Sequence, residues 1–176
     1  MNEKLKNEEL NRIDLNEFKK TDKNKLIVVL DNVRSLNNVG SAFRTCDAFL
    51  IEKIILCGIT GTPPNKEIEK TALGATESME WQYFKTTQEA IEQLKASNYS
   101  VFAVEQAKNS INLKNHKASE NNIAVVFGNE VYGVEQEVIN ACDGVIEIPQ
   151  AGTKHSLNIA VSVGIVLWEI LKNKLP

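Results

Sequence analysis

The chain has 176 residues, of which 43% are hydrophobic and 24% are charged, and its formal net charge is −3. These values are typical of one globular domain with a sizeable core, and they exclude an overall basic field that would attract nucleic acid. The cysteines Cys46, Cys57 and Cys142 are odd in number and widely spaced, which disfavours a disulfide framework or a CxxC zinc site. We expect reduced thiols, no bound metal and a cytoplasmic protein.

Charged side chains of both signs dominate residues 1–24, which are predicted to form a helical N-terminal extension. This segment is too polar for a secretory signal. The run Leu26–Leu30 that follows contains only Leu, Ile and Val, a composition typical of a parallel strand covered on both faces. Residues 25–176 are predicted to form a single domain.

Strand and helix patterns alternate along the rest of the chain. Apolar runs predict strands at Lys53–Cys57, Glu80–Phe84, Val101–Val104, Ile123–Phe127 and Val145–Ile148. Helical spacing predicts helices at Val39–Phe49, Lys66–Leu73, in the segment after the cap residue Thr86, at Glu135–Ala141 and at the C-terminus. A polar loop is predicted from the strand at Val101–Val104 through Lys117. The alternation predicts an α/β fold with a mainly parallel sheet flanked by helices.

The closing segment Leu157–Leu171 is apolar on nearly every side of its predicted helix. It contains Ser162, Gly164 and Glu169, and it is short for a membrane span. Because a helix of this composition has to be buried over most of its surface, we expect it to pack between the sheet and a second subunit.

Three predicted strand ends carry unusual sets of polar residues. These segments are NNVGSAFR after Leu26–Leu30, GNEVYG after Ile123–Phe127 and PQAGTKHSLN after Val145–Ile148. In open parallel sheets, ligands bind outside the carboxyl ends of the strands. The sequence therefore predicts a site where the three segments meet.

Each segment also has a purely structural interpretation. Asn38 is a favoured helix cap, Arg44 alone is more often a solvated surface charge, and Glu130 is an ordinary exposed carboxylate. Ser156 suits a cap of the final helix, and Gly152 suits a left-handed turn. No GxGxxG, GxxxxGK[ST] or GxSxG pattern is found, so a Rossmann, P-loop or hydrolase site is not supported.

Together the three segments resemble the signature motifs of the SpoU (TrmH-type) RNA 2′-O-methyltransferases of the SPOUT superfamily. Motif 1 is Asn38 to Arg44, motif 2 is Gly128 to Gly133, and motif 3 is Pro149 to Gly152 followed by Ser156 to Asn158. They occur in the family's order, and the resemblance covers roughly residues 25–173. It implies a C-terminal trefoil knot, an S-adenosylmethionine cleft formed by the knot loops, an RNA substrate, and a homodimer whose sites are completed across the interface.

The resemblance also implies roles for single residues. The expected catalytic residues are Arg44, Asn38, Glu130, Ser156 and Asn158. The expected cofactor-binding residues are Gly128, Asn129, Glu130, Ile148, Pro149, Gln150, Ser156 and Leu157. The expected RNA-binding residues are Arg44 and, from their basic side chains near the predicted site rather than from the resemblance, Arg34, Lys154 and His155. Arg34, Lys154 and His155 suit ordinary surface groups equally well.

Two roles stay open for Arg44. A guanidinium keeps its proton above roughly pH 12, so we favour a cation that stabilises the developing alkoxide over a general base. Two other functions compete with methyl transfer: a non-catalytic RNA-binding protein of the same fold, and an α/β enzyme acting on a small nucleotide, which the acidic net charge would suit. The short segment before the first strand favours transfer RNA over ribosomal RNA as the substrate.

Overall fold

The computed structural model describes residues 2–116 and 122–175. Three residues at which predicted segments begin or end lie outside the described residues: Met1, Lys117 and Pro176. The strands are β1 Asn24–Asp31, β2 Ile51–Cys57, β3 Trp81–Phe84, β4 Ser100–Val104, β5 Ile111–Asn112, β6 Ile123–Phe127 and β7 Gly144–Glu147. The α-helices are α1 Leu15–Lys20, α2 Leu36–Ala48, α3 Lys66–Ala72, α4 Ala75–Ser78, α5 Thr87–Ala96, α6 Gln136–Ala141 and α7 Ile159–Leu171.

The strands form one seven-stranded sheet with the order β3-β2-β1-β6-β4-β7-β5. Every strand pairing in it is parallel, so the predicted α/β class with a parallel sheet is confirmed. The runs Leu26–Leu30 and Ile123–Phe127 lie in adjacent central strands and are buried throughout. Their unbroken apolar composition is what burial on both faces of a sheet requires. This strand order places the carboxyl ends of β1, β6 and β4 side by side.

Two hydrophobic clusters cover the two faces of the sheet. On one face, Phe43 of α2 and Leu167 of α7 are completely buried. On the other face, Ile91 of α5 and Val138 of α6 are buried against the alternate side chains of the same strands. The helices α2 and α7 therefore lie on the same side of the sheet, and both begin at its carboxyl edge.

The N-terminal extension is helical only in short pieces, a 3₁₀ turn at Asn7–Leu10 and the six-residue helix α1. Asp14 caps α1 by accepting hydrogen bonds from two backbone N–H groups, and Phe18 is the buried residue of that helix. Helices of this length depend on tertiary contacts for their stability. Phe18 anchors α1 to the core, and the predicted helical extension is helical only in these two short pieces.

Helix α7 buries only one of its sides within the chain. Its inward side is packed in the core, but Val161, Ile165 and Trp168 are 51%, 37% and 55% exposed. These three residues, spaced four and three apart, form a continuous line that we call the α7 strip. Within residues 2–116 and 122–175, no helix has the length and apolar composition needed to cross a membrane.

Candidate functional site

Helix α2, which carries motif 1, begins at Leu36, about one turn earlier than the predicted start at Val39. Ser35 caps α2, and its hydroxyl oxygen accepts a hydrogen bond of 3.3 Å from the Asn38 backbone N–H. The helix therefore starts at Leu36, and the interpretation of Asn38 as the helix cap is wrong. Because Ser35 fills that role, the Asn38 side chain is available for other contacts.

Glu130 of motif 2 binds the start of α2. Its carboxylate accepts hydrogen bonds from the backbone N–H groups of Arg34 at 3.0 Å and Ser35 at 2.9 Å. It accepts a third, also of 3.0 Å, from Nδ2 of Asn38. Partial burial alone would raise the pKa of Glu130, but these hydrogen bonds outweigh it and hold the pKa below its ordinary value. Glu130 is therefore an ionised acceptor at neutral pH.

Asn158 of motif 3 joins the same group of side chains. Its Nδ2 donates to Oδ1 of Asn38 at 3.2 Å, and its Oδ1 accepts from the backbone N–H of Ala160 at 2.8 Å. Asn158 is therefore the cap of α7, and the interpretation of Ser156 as that cap is wrong. We call Glu130, Asn38 and Asn158 the polar network. It connects the three motifs through one carboxylate and two amides.

The motif 2 loop is closed by a pair of backbone hydrogen bonds of 2.9 Å between Asn129 and Gly133. Gly133 has the positive φ of 68° expected of a turn glycine. Gly128 and Gly152 are not among the glycines with a positive φ, so Gly152 does not adopt the predicted left-handed turn. Gly128 is required for a different reason: a Cβ on it would lie 2.1 Å from the Gly133 carbonyl carbon. The loop also binds Asn32, whose carbonyl oxygen accepts from Nδ2 of Asn129 at 2.8 Å.

A cleft of about 740 Å³ opens beside this loop, between the carboxyl ends of β4, β6 and β7. We refer to it as the cleft. Most of the residues predicted to bind the cofactor line it: Gly128, Asn129, Glu130, Ile148, Gln150, Ser156 and Leu157. Asn158 and His155 also line it. Motifs 2 and 3 therefore line one cavity, and motif 1 is joined to it through the hydrogen bonds of Asn38 with Glu130 and Asn158.

Five predicted site residues do not line the cleft: Asn38, which reaches it through the polar network, and Arg34, Arg44, Pro149 and Lys154. Arg44 is exposed, about 9 Å further along α2 than Asn38 and about 120° around the helix axis from it. Within the described ranges its guanidinium has no hydrogen bond or ion pair, and it does not line the cleft. Pro149 and Lys154 are exposed beside the cleft without lining it, and Arg34 contributes its backbone N–H to Glu130 rather than a side chain to the cavity.

Two further residues of the cleft were not predicted. Glu105 and Gln106 follow β4 directly, and both line the cavity. The Glu105 carboxylate accepts from the backbone N–H of Val134 at 3.0 Å and of Gln106 at 2.8 Å, and Gln106 donates to the carbonyl oxygen of His155. The strand-end rule that identified the three motifs applies equally to Val101–Val104, so it would have pointed to these residues.

The electrostatic character of the cleft is acidic. Glu105 and Glu130 place two carboxylates on its wall, and among the described residues that line it there is no lysine or arginine. Apolar side chains including Ile148 and Leu157 form the rest of the surface. Such a cavity favours a ligand with apolar parts and a positive charge and disfavours one whose binding depends on phosphate. In the described ranges no group of three or more His, Cys, Asp or Glu is placed to hold a metal ion.

The geometry defines an α/β protein with a cleft at the carboxyl edge of a parallel sheet and a polar network, containing one ionised carboxylate, on its rim. A family model described as the SpoU rRNA Methylase family matches residues 25–168. The chain belongs to that family.

Individual relatives agree with this assignment. The 23S rRNA (guanosine-2′-O-)-methyltransferase RlmB of Haemophilus ducreyi is 30% identical over 167 residues, which cover 95% of this chain and 68% of the relative. The AdoMet-bound rRNA methyltransferase from Sinorhizobium meliloti superposes with a TM-score of 0.82 at 28% identity, over 90% of this chain and 61% of that one. The TrmH/SpoU tRNA modifying enzyme of A. aeolicus gives a TM-score of 0.80 at 26% identity, over 91% and 83% of the two chains.

These relatives confirm, at the level of the family, three predictions: the SpoU assignment, the enzyme class of RNA methyltransferase, and S-adenosylmethionine as the cofactor. Their names include both ribosomal and transfer RNA as substrates. The chain spans less than two thirds of the AdoMet-bound relative.

Proposed function

We propose that this chain transfers a methyl group from S-adenosylmethionine to a ribose 2′-hydroxyl of RNA. The observation that carries the proposal is the polar network at the rim of the cleft. One carboxylate holds the Asn38 amide by a 3.0 Å hydrogen bond, and Asn38 in turn accepts from Asn158. These groups place hydrogen-bonding atoms beside the cavity without needing a change of protonation at neutral pH.

The residues of the cleft suit S-adenosylmethionine. A volume of about 740 Å³ lies within the range of about 300–1,000 Å³ that is typical of small-molecule sites. The apolar side chains of Ile148 and Leu157 suit the adenine ring, and the carboxylates of Glu105 and Glu130 suit the positively charged sulfonium and amino groups. The lack of a lysine or arginine on the described wall favours this cofactor over the small nucleotide of the competing function.

When bound, S-adenosylmethionine supplies an electrophilic methyl carbon, so the chain has to position the ribose oxygen and stabilise it as it loses its proton. Asn38 and Asn158 orient the sugar hydroxyl, and Glu130 fixes Asn38. Arg44 stabilises the developing alkoxide as a permanent cation. Ile148, Leu157, Glu105 and Glu130 would hold the cofactor, which would supply the methyl group, and the proton that the ribose hydroxyl loses would pass to solvent or to a phosphate oxygen of the RNA.

The exposed position of Arg44 favours an active site shared between two subunits. Arg44 does not reach the cleft of its own chain, and the α7 strip leaves an apolar surface uncovered. Helices α2 and α7 pack against each other, with the rings of Phe49 and Trp168 6.5 Å apart. A second copy that covers the α7 strip would therefore lie next to α2, and we propose that a homodimer brings Arg44 of one subunit to the cleft of the other.

Other parts of the proposal follow from family membership. A trefoil knot formed by the C-terminal segment and transfer RNA as the preferred substrate stay predictions, as do phosphate contacts from Arg34, Lys154 and His155. Cys46, Cys57 and Cys142 are free thiols, which supports a reducing, cytoplasmic location. Mapping 2′-O-methyl sites in RNA from cells with and without this protein would identify the substrate.

Calorimetry with S-adenosylmethionine and transfer of a labelled methyl group to total RNA test the activity directly. Arg44→Lys keeps the charge but loses the planar fork of the guanidinium, so we expect cofactor affinity to persist while turnover falls at least about tenfold. Arg12→Lys, in the exposed N-terminal extension, is the matched control and is expected to be fully active. Cofactor binding without methyl transfer to any RNA would favour the non-catalytic alternative.

Mixed dimers test the sharing of the active site. An Arg44→Ala chain retains an intact cleft, and a Glu130→Ala chain retains an intact arginine. If Arg44 acts across the interface, mixing the two inactive variants restores roughly a quarter of wild-type activity, because half of the dimers contain one complete site. If Arg44 acts within its own chain, no mixture regains activity, and the shared site is refuted.

A further inference from the structure

A second cavity lies on the other side of the motif 2 loop from the cleft. It has a volume of about 370 Å³, and we call it the side pocket. Asn129, Tyr132 and Gly133 line both cavities, so a single loop separates them. A nucleotide whose ribose lies at the polar network would therefore have its base within reach of the side pocket.

The inner wall of the side pocket carries two carboxyl groups. Asp31 is only 1% exposed, and its Oδ1 accepts hydrogen bonds from Thr87 at 2.5 Å and from Asn32 at 3.0 Å. Its Oδ2 is buried and has no hydrogen-bond partner in the described part of the chain. Burial raises the pKa of Asp31, and the nearby negative charge of Glu135 adds to that rise. Glu135 is the exposed member of the pair and lines the same pocket.

The outer wall of the side pocket is apolar and aromatic. Tyr132 is 82% exposed and Ile59 is 66% exposed, which is unusual for large apolar side chains in a well-packed domain. Arg34 is the cation that lines the pocket. An exposed aromatic ring next to a cation is the arrangement by which proteins stack unpaired bases and hold the adjoining phosphate.

The charges on the inner wall decide which part of a nucleotide enters. Two carboxyl groups repel a phosphate, so the pocket suits a ligand edge that donates hydrogen bonds. Cytosine and adenine present one amino group next to a ring nitrogen that accepts, and uracil presents one N–H between two carbonyl oxygens. Guanine presents two neighbouring donors, N1–H and the N2 amino group, which match the two oxygens of one carboxylate.

We propose that the side pocket binds the base of the methylated nucleotide, that the base stacks on Tyr132, and that Glu135 selects guanine through a bidentate contact. This inference rests on the proposed function, because it places the ribose of the same nucleotide in the cleft. Asp31 supports the site from beneath by fixing Asn32, whose Oδ1 accepts from the Ile59 backbone N–H at 3.1 Å.

Four pentaribonucleotides that differ only in their central base, flanked by uridines, test this specificity. Their affinities for the full chain are measured by fluorescence anisotropy with S-adenosylhomocysteine present. We expect the central guanine to bind about tenfold more tightly than the central uracil, as bidentate base contacts do elsewhere. Glu135→Gln is expected to abolish that preference, and Tyr132→Ala is expected to weaken all four by about tenfold, since stacking does not depend on the base.

Glu137→Gln is the matched control, because Glu137 lies in the first turn of α6, directly after Glu135 at the helix start, is exposed and does not line the side pocket. The inference is overturned if the four oligonucleotides bind equally, if none binds measurably, or if Glu135→Gln retains the preference for guanine. Calorimetry of Glu135→Gln with S-adenosylmethionine separates the two proposals. Unchanged cofactor binding with lost base preference supports the side pocket, whereas a wild-type chain that fails to bind the cofactor refutes the proposed function instead.

Discussion

The polar network makes a quantitative prediction about the pair Glu130 and Asn38. Glu130→Ala removes a carboxylate that accepts three hydrogen bonds, from the backbone of Arg34 and Ser35 and from Asn38. A hydrogen bond to a charged group contributes about 1.5–3 kcal/mol when it is buried. Glu130 is exposed, so water replaces much of what is lost, and we expect the free energy of unfolding to fall by about 1–2 kcal/mol.

Asn38→Ala removes one hydrogen bond to Glu130 and one to Asn158. We expect it to cost about 0.5–1 kcal/mol, and the double variant to cost about 0.5 kcal/mol less than the sum of the single changes. Urea unfolding monitored by tryptophan fluorescence, at one fixed protein concentration, measures all four forms of the chain. Additive losses, equal within about 0.3 kcal/mol, would show that the carboxylate and the amide are not energetically coupled and would refute the network.

The same variant separates orientation from binding. If Asn38 orients the ribose, Asn38→Ala reduces kcat for methyl transfer by about 100-fold while the Kd for S-adenosylmethionine changes less than about threefold. A weakened Kd with unchanged kcat would reassign Asn38 to cofactor binding.

Three further predictions concern the motif 2 loop, the charge of Glu130 and the α7 strip. Gly128→Ala inserts a methyl group into the loop backbone and is expected to lower the free energy of unfolding by about 2 kcal/mol or more in urea titrations, whereas Gly152→Ala meets no atom within 4 Å and should leave it unchanged. The pKa of Glu130 is depressed below its ordinary value of 4.5, so the stabilisation by its carboxylate is fully present above that pH and disappears as the pH falls through the folded-state pKa. Wild-type protein should therefore lose more stability than Glu130→Gln between about pH 5 and pH 3, and equal losses would contradict the depressed pKa of Glu130. Trp168→Glu places a charge on the α7 strip and is expected to convert the proposed dimer to monomers in light-scattering measurements, unlike Trp81→Glu on the edge strand β3. A Trp168→Glu variant that remains dimeric would exclude the α7 strip as the interface.

The parts of the fold with strong local patterns were predictable from the sequence. The short, β-branched apolar runs Leu26–Leu30 and Ile123–Phe127 are typical of covered parallel strands, and both lie at the centre of the sheet. Strand β5 was missed because its two residues, Ile111 and Asn112, carry no periodicity and pair only through β7. Tertiary pairing, rather than local preference, determines such a short strand.

The sequence predicted which residues lie at the candidate site better than it predicted their structural roles. Asn38 and Ser156 both suit helix caps by residue type, yet Ser35 and Asn158 hold those positions in the structure. Local preference cannot choose between neighbouring cap residues, since the choice depends on where the helix meets its tertiary contacts. The contact between Asn38 and Asn158 joins residues 120 positions apart, and no local pattern encodes such a pairing.

The strand order also has a consequence for how the chain reaches its native state. β6 lies between β1 and β4, although both are synthesised well before it. Until residues 123–127 leave the ribosome, β1 with its neighbours and β4 form separate pieces, each with a bare apolar edge that invites misassembly. The last-made third of the polypeptide therefore completes both the sheet and the cleft, so a nascent chain interrupted before that stage would hold neither a continuous sheet nor a complete cleft.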